Sequence, residues 1–210
     1  MKSQHWIIAG VLVLAVLWLV WLVVQPPAPA VPVSDVTADD WVLGDRTSKT
    51  IVIEYSDFQC PACAIVYPWV QRVLEERGSE MAFAYRHFPL RSIHPNAEQA
   101  SRAAEAAGQQ GKFWEMHDLL FEGQREWAPS SNNATLFAGY AQQLGLNVDQ
   151  FNSDRESTEV KQRVVRDITS GTAARVSGTP TFFVNGTRID TPQNYEAFAK
   201  IISDAISSQP

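Results

Sequence analysis

The sequence predicts an α/β fold with a small mixed sheet, helices on both faces and an inserted helical segment, preceded by one N-terminal transmembrane helix. Three observations predict it. Strand, helix and strand patterns follow one another over residues 51–88, as in a βαβ unit. Helical patterns then lead to a β-hairpin pattern over residues 181–189. Near the N-terminus, residues 7–24 form an uninterrupted apolar run.

The apolar run Ile7 to Val24 is long enough for a membrane helix, because it would span roughly 27 Å of a hydrocarbon core of ~30 Å. Lys2 precedes it and the next charge is Asp35, which predicts a cytoplasmic N-terminus and an exported main domain. A cleaved signal peptide is the alternative, with Ala28-Pro29-Ala30 as its cleavage site. Either arrangement places the main domain where disulfides are permitted.

Composition and the positions of proline and glycine predict the domain organisation. We predict a membrane anchor over residues 1–25, a proline-rich linker over 26–40 and one domain over 41–208, with the helical insert at about 94–150. The linker either forms an extended polyproline-like spacer or a disordered tether. The net charge is −6 and the sequence has no basic stripe, which argues against a nucleic-acid partner.

Each element of the domain has a local reason. Residues 51–56 are apolar and β-branched, as in a buried strand, and Pro61 suits the first turn of a helix that would end before Gly78. Asn185-Gly186 is a two-residue hairpin signal. We expect a turn at Phe151. The remaining predictions are a strand over 81–88, helical structure over 96–146, helices over 157–174 and 192–207, and strands over 181–184 and 187–189.

The two cysteines of the chain form one motif, Cys60-Pro61-Ala62-Cys63, between a predicted strand and a predicted helix. At a helix N-terminus Cys60 would face free backbone N–H groups and the positive end of the helix dipole, so its thiol pKa should fall. Cys63 lies one turn deeper and should ionise less readily. This asymmetry predicts that Cys60 attacks or is attacked, and that Cys63 resolves the mixed disulfide. A static disulfide is the alternative.

Three further positions are candidate site residues. Glu54 is the charged residue of an apolar strand, so burial should favour its protonated form and allow proton exchange with Cys63; a surface glutamate is the alternative. Thr179-Pro180 precedes a strand, and a cis bond there would expose backbone groups for an extended substrate; a trans proline that ends a loop is the alternative. Phe58 would either line the substrate groove or pack inside, and we assign it to substrate binding.

These features together resemble the DsbA-like branch of the thioredoxin superfamily, in its membrane-anchored bacterial form. The segments that carry the resemblance are 54–63, 85–90, 94–97, 111–114 and 178–186, in the order of that family. The resemblance implies a thioredoxin fold with a helical insert, a nucleophilic Cys60, a resolving Cys63, a tuning Glu54 and a cis Pro180. It also implies a domain on the outer face of the cytoplasmic membrane. Ala62 stands where strong oxidases of the family carry histidine, which predicts a weaker oxidant.

The sequence therefore predicts a thiol–disulfide oxidoreductase without metal or cofactor. Its most favoured function is to donate the Cys60–Cys63 disulfide to exported polypeptides, with a membrane redox partner to reoxidise it. A disulfide isomerase or reductase is the second hypothesis. A copper-binding thiol chaperone is the third, because soft thiolates suit Cu(I).

Overall fold

The structure is a computed structural model that describes residues 14–18 and 30–209. Most of the predicted membrane run at 7–24 lies outside these residues, as does most of the predicted anchor; residues 14–18 are helical. Among the described residues, no helix combines the length and the apolar character needed to cross a bilayer. The residues from Val31 to Pro210 form one compact unit.

The described residues of this unit form a five-stranded sheet in the order β1-β3-β2-β4-β5. Strands β2 and β3 are parallel, as a βαβ unit requires, and the other neighbours are antiparallel. Glu54 lies on the central strand, opposite Tyr85 of β3 and Phe182 of β4. The strands are β1 Trp41–Gly44, β2 Ile51–Ser56, β3 Ala82–His87, β4 Thr181–Val184 and β5 Thr187–Ile189.

Helices pack on this sheet and fill the segment between β3 and β4. They are α1 Pro61–Arg77, α2 Ala97–Gly108, α3 Phe113–Glu122, α4 Gln124–Trp127, α5 Asn133–Gln143, α6 Val148–Glu156, α7 Thr158–Ala173 and α8 Tyr195–Ser207. A short 3₁₀ turn, Gly78–Glu80, follows α1. The α/β fold with a mixed sheet and inserted helices is confirmed.

Two apolar clusters hold the sheet. The larger joins the face of β2, β3 and β4 that carries Val52, Tyr85 and Phe182 to α1, α8 and the inserted helices. The smaller lies on the opposite face around Ile53, Tyr55 and other residues. Side chains of one strand alternate between the two faces, so each face of the central strand is buried.

Two predictions are wrong, and one strand was not predicted. The proposed linker does not extend to residue 40, because Val33 is buried and bridges to Gly186, and Asp40 forms a buried ion pair with Arg86 at 2.8 Å. Phe151 is not in a turn; it is a buried residue of α6. The sequence patterns also missed β1, Trp41–Gly44, whose strand identity comes from antiparallel pairing with β3.

Candidate active site

The cysteine motif sits at the start of α1. Cys60 is the N-cap residue with extended backbone (φ −73°, ψ 122°), and Pro61 begins the helix, where its missing N–H costs no hydrogen bond. The Cys60 amide donates to Asp57 O at 3.0 Å, which closes the turn between β2 and the helix. Cys60 is 6% exposed and Cys63 is fully buried, and both are free thiols.

The two thiols have opposite pKa shifts. Hydrogen bonding from the Cys63 thiol is the largest cause that lowers the pKa of Cys60, to about 5, with help from the Thr179 side chain and the backbone amides of Cys63 and Ala62. Burial, followed by the interaction with Cys60, raises the pKa of Cys63 well above its usual value. Near pH 7 the pair therefore holds one thiolate, on the residue at the helix end.

Glu54 lies beneath the motif in the middle of β2. It is 5% exposed, and burial is the main cause that raises its pKa to about 7; the nearby Cys60 raises it further, while the Ser56 hydroxyl opposes the shift. A carboxyl with a pKa near 7 can both give and take a proton at neutral pH. The predicted burial and protonation of Glu54 agree with the structure.

The Thr179-Pro180 peptide bond is cis and brings its loop against Cys60. The Cys60 sulfur lies 3.4 Å from the Thr179 carbonyl oxygen. Pro180 is buried and Thr179 is partly exposed. The structure thus brings together Cys60, Cys63, Glu54 and the Thr179-Pro180 pair, which are far apart in sequence.

Phe58 does not line a substrate groove, so its assignment to substrate binding is wrong. Its side chain is fully buried, stacked on Tyr85 at a centroid distance of 5.1 Å and packed on Phe121 at 5.0 Å and His117 at 5.6 Å. Phe58 follows the end of β2 and anchors the motif's loop in the apolar core between the sheet and α3.

Gln124, which sequence reasoning missed, ties the motif to the helical insert. Its Nε2 donates to the carbonyl oxygens of Phe58 at 2.7 Å and Cys60 at 3.0 Å. Gln59 makes a parallel connection, donating to Ala128 O at 3.0 Å and accepting from the Asn96 amide at 2.7 Å. No local pattern marks Gln124, because its partners are backbone atoms distant in sequence.

Asp57 supports the same loop from inside. Its carboxylate accepts from the amides of Gln59 and Leu90, at 2.7 and 2.8 Å, and lies 2.7 Å from His94 Nδ1. These contacts hold the segment after β3 against the segment before Cys60. From the sequence, Asp57 and His94 stand out only as members of the segments that carry the family resemblance, with no role of their own.

A groove of about 310 Å³ opens beside the motif, between the first turns of α1 and the junction of α3 and α4. Pro61 and Ile65 line it on one side, and Phe121 and Arg125 on the other. Ile65 is 61% exposed, which is unusual for a large aliphatic side chain. The groove offers apolar surface within a helix turn of Cys60.

Among the described residues, one cluster has the donor types of a metal site, and it does not include the cysteines. His87, Glu105 and Asp167 lie together in the interior. Arg163 occupies the same cluster, hydrogen-bonded to Asp167 and 3.9 Å from Glu105, and His87 Nε2 lies 2.8 Å from Glu105. The arginine already supplies the cation that these carboxylates need, so the cluster is a structural ion-pair network.

Comparison with known proteins identifies the fold independently. The thioredoxin family model matches residues 36–204. A thioredoxin-like oxidoreductase from Silicibacter pomeroyi superposes with a TM-score of 0.69 at 24% identity, covering 82% of this chain and 95% of that chain. BdbD from Bacillus subtilis superposes with a TM-score of 0.73 at 20% identity, covering 85% and 99%.

Curated relatives of higher identity are longer proteins. The Na(+)/H(+) antiporter NhaA 3 of Salinispora tropica and NhaA 1 of Salinispora arenicola are each 40% identical to this chain, over 169 and 168 residues. The alignments cover 80% of this chain and 25% of each relative. The chain thus spans about a quarter of the length of the curated relatives that it matches.

Proposed function

The chain belongs to the thioredoxin family, and on that premise we propose that it donates the Cys60–Cys63 disulfide to exported polypeptides. Its site has the three groups that an enzyme of thiol–disulfide exchange uses. They are the Cys60 thiolate at the helix end, the buried Cys63 thiol and the Glu54 carboxyl, which can exchange a proton. In the proposed reaction a client thiolate attacks Cys60, and Cys63 leaves; a second client thiolate then releases Cys60.

The position of Cys60 at the N-cap of α1, beside the Cys63 thiol, is the observation that carries the direction of the reaction, and the pKa of Cys60 falls there to about 5. A stabilised thiolate stabilises the reduced protein, which makes its disulfide a stronger oxidant. The value falls between the thiol pKa values of roughly 3.5 and 7 known for strongly oxidising and reducing members of this motif class. The corresponding potentials are about −120 and −270 mV, so we expect one between them.

Client binding would use the two surfaces that border Cys60. The exposed backbone at Thr179 can pair with an extended polypeptide, and the groove at Ile65 can accept an apolar side chain. We propose no metal or cofactor for this reaction.

The cellular setting of this proposal rests on the sequence. The apolar run at 7–24 would anchor the chain in the bacterial cytoplasmic membrane, with the domain on its outer side. A membrane redox partner would then reoxidise the dithiol. Proteinase accessibility of the domain in intact spheroplasts, compared with lysed ones, tests this orientation; a domain protected until lysis contradicts it.

The reduction potential tests the function. The full chain in detergent is equilibrated with glutathione buffers, and the fraction of free Cys60 and Cys63 is trapped by acid and alkylation. We expect a midpoint more oxidising than about −200 mV, and a still more oxidising one for Ala62→His, because a nearby histidinium stabilises the thiolate further. Cys63→Ser, which cannot form the disulfide, is the matched control.

Two other outcomes favour the alternative functions. A midpoint below about −230 mV would favour an isomerase or reductase that receives electrons. A pair that does not cycle at all, but binds Cu(I) stoichiometrically when reduced, would favour the copper chaperone.

A further inference from the structure

A buried polar patch lies beneath Cys63. Glu54 and Ser56 are two residues apart on β2, so their side chains point to the same face of the sheet. Tyr85 of β3 lies opposite Glu54 in the parallel register. Ser56, Tyr85 and Cys63 are fully buried, and Glu54 nearly so. Four groups that can bear a proton therefore share one closed site.

Two hydroxyl groups of this patch have no conventional partner. Within the part of the chain that the structure describes, Ser56 Oγ and Tyr85 Oη are buried without a hydrogen bond. Leaving a buried hydroxyl unpaired costs about 1–3 kcal/mol, so such groups in a native protein call for an explanation. Both hydroxyls lie on the face of the sheet that carries Glu54 and packs against Cys63, which suggests a role in exchange.

The Ser56 hydroxyl influences the pKa of each of the other three groups in the patch. Burial is the largest cause that raises the pKa of Glu54, Cys63 and Tyr85, and the Ser56 hydroxyl lowers each of these three pKa values. Glu54, by contrast, acts on the pKa of Cys63 through its charge. The Ser56 hydroxyl therefore lies close enough to influence both acids, although in this structure it makes no hydrogen bond to either.

We propose that Ser56 relays a proton between Glu54 and Cys63 during disulfide exchange. The proposal rests on the proposed function. A buried hydroxyl that both donates and accepts is the simplest group that can pass a proton without carrying charge.

The proton transfer accompanies the attack of a client on the Cys60–Cys63 disulfide. A client thiolate attacks Cys60 Sγ, a client–Cys60 disulfide bond forms, the Cys60–Cys63 bond breaks, and its electron pair passes to Cys63 Sγ. Ser56 gives its hydroxyl proton to the Cys63 thiolate and takes the carboxyl proton of Glu54. The products are the mixed disulfide, a Cys63 thiol, an unchanged Ser56 and a Glu54 carboxylate; reoxidation reverses the transfer.

Other titratable groups surround the patch and bear on its pH dependence. The Cys60 charge raises the pKa of Glu54, and the Asp57 charge raises that of Tyr85. His117 of α3 lies 4.8 Å from the Tyr85 ring, between centroids, and burial lowers its pKa. His87 of β3 lies 5.3 Å from the same ring.

Titration of Cys63 alone tests the proposal without relying on exchange. In the Cys60→Ala protein, alkylation against pH reports the pKa of Cys63. We expect Ser56→Ala to raise this pKa, and Ser56→Thr, which keeps the hydroxyl, to restore it. Ser101→Ala is the matched control, because Ser101 is a buried serine of α2 bonded to Ala97 O. An unchanged Cys63 pKa in a folded Ser56→Ala protein would overturn the relay.

The kinetic consequence is measured in the disulfide form of the full chain with both cysteines. With a small thiol as attacker, Ser56→Ala should slow mixed-disulfide formation about tenfold below pH 7, a modest share of what general acid catalysis contributes. The ratio of wild-type to variant rates should shrink as Glu54 ionises; a constant ratio contradicts the relay. A wild-type protein that never exchanges would refute the proposed function, while a shifted Cys63 pKa in Ser56→Ala would still establish the contact.

Discussion

Replacing Glu54 with glutamine should stabilise the protein increasingly as the pH rises. Burial raises the pKa of Glu54 from 4.5 to about 7, so folding favours its protonated form. Protonated Glu54 makes its full contribution to the free energy of unfolding below about pH 4.5, and this contribution is lost as the pH rises through 7. The interval between 4.5 and 7, at about 1.4 kcal/mol per pH unit, corresponds to about 3 kcal/mol.

Urea denaturation of the reduced protein measures this effect. The difference in unfolding free energy between Glu54→Gln and wild type should grow by about 3 kcal/mol in favour of the variant from about pH 4.5 to about pH 8. Glu75→Gln, on the exposed face of α1, is the matched control and should show no such trend. The same difference at both pH values for Glu54→Gln would refute the reasoning, because a buried ionised carboxylate must then cost nothing.

Three further predictions concern the motif and its supports. Cys63→Ala should raise the pKa of Cys60 above about 5, whereas Cys63→Ser keeps a donor and should raise it less; alkylation against pH measures both, and identical midpoints contradict the Cys63 hydrogen bond. Phe58→Ala should lower the unfolding free energy by about 3–5 kcal/mol, measured by urea denaturation. A loss under about 0.5 kcal/mol would mean that the Phe58 side chain is not packed in the core. Gln124→Ala should cost about 1–3 kcal/mol by the same assay, and a neutral result means that the two carbonyls find other donors.

The elements with strong local signals could be predicted closely. The β-branched run of β2, Pro61 at the start of α1 and the Asn185-Gly186 turn each determine their own conformation. Asn185 and Gly186 both have positive φ, at 47° and 80°, as that turn requires. The direction of the Cys60 pKa shift also followed from the sequence, although its largest cause is the Cys63 thiol and the amides at the helix N-terminus contribute less.

What the sequence did not reveal depends on contacts between distant residues. Strand β1 exists because Trp41 and its neighbours pair with β3, and its short sequence carries no alternation of its own. Phe58 lies two residues before Cys60, and its stacking on Tyr85, which is distant in sequence, decides that its side chain points into the core. Gln124 donates to two backbone oxygens, and because backbone atoms leave no mark in the sequence, no residue pattern predicts these hydrogen bonds.

The contacts that fasten the cysteine motif have a consequence for biosynthesis. Gln124 follows Cys60 by 64 residues, and Thr179 follows it by 119, so a growing chain presents both thiols long before either partner emerges. Until α4 and the Thr179 loop dock, the motif lacks these two contacts, whereas Cys63 and the first amides of α1, which lower the pKa of Cys60, lie within three residues of it. The motif can therefore ionise as soon as the start of α1 forms, before the loop around it is held in its final position.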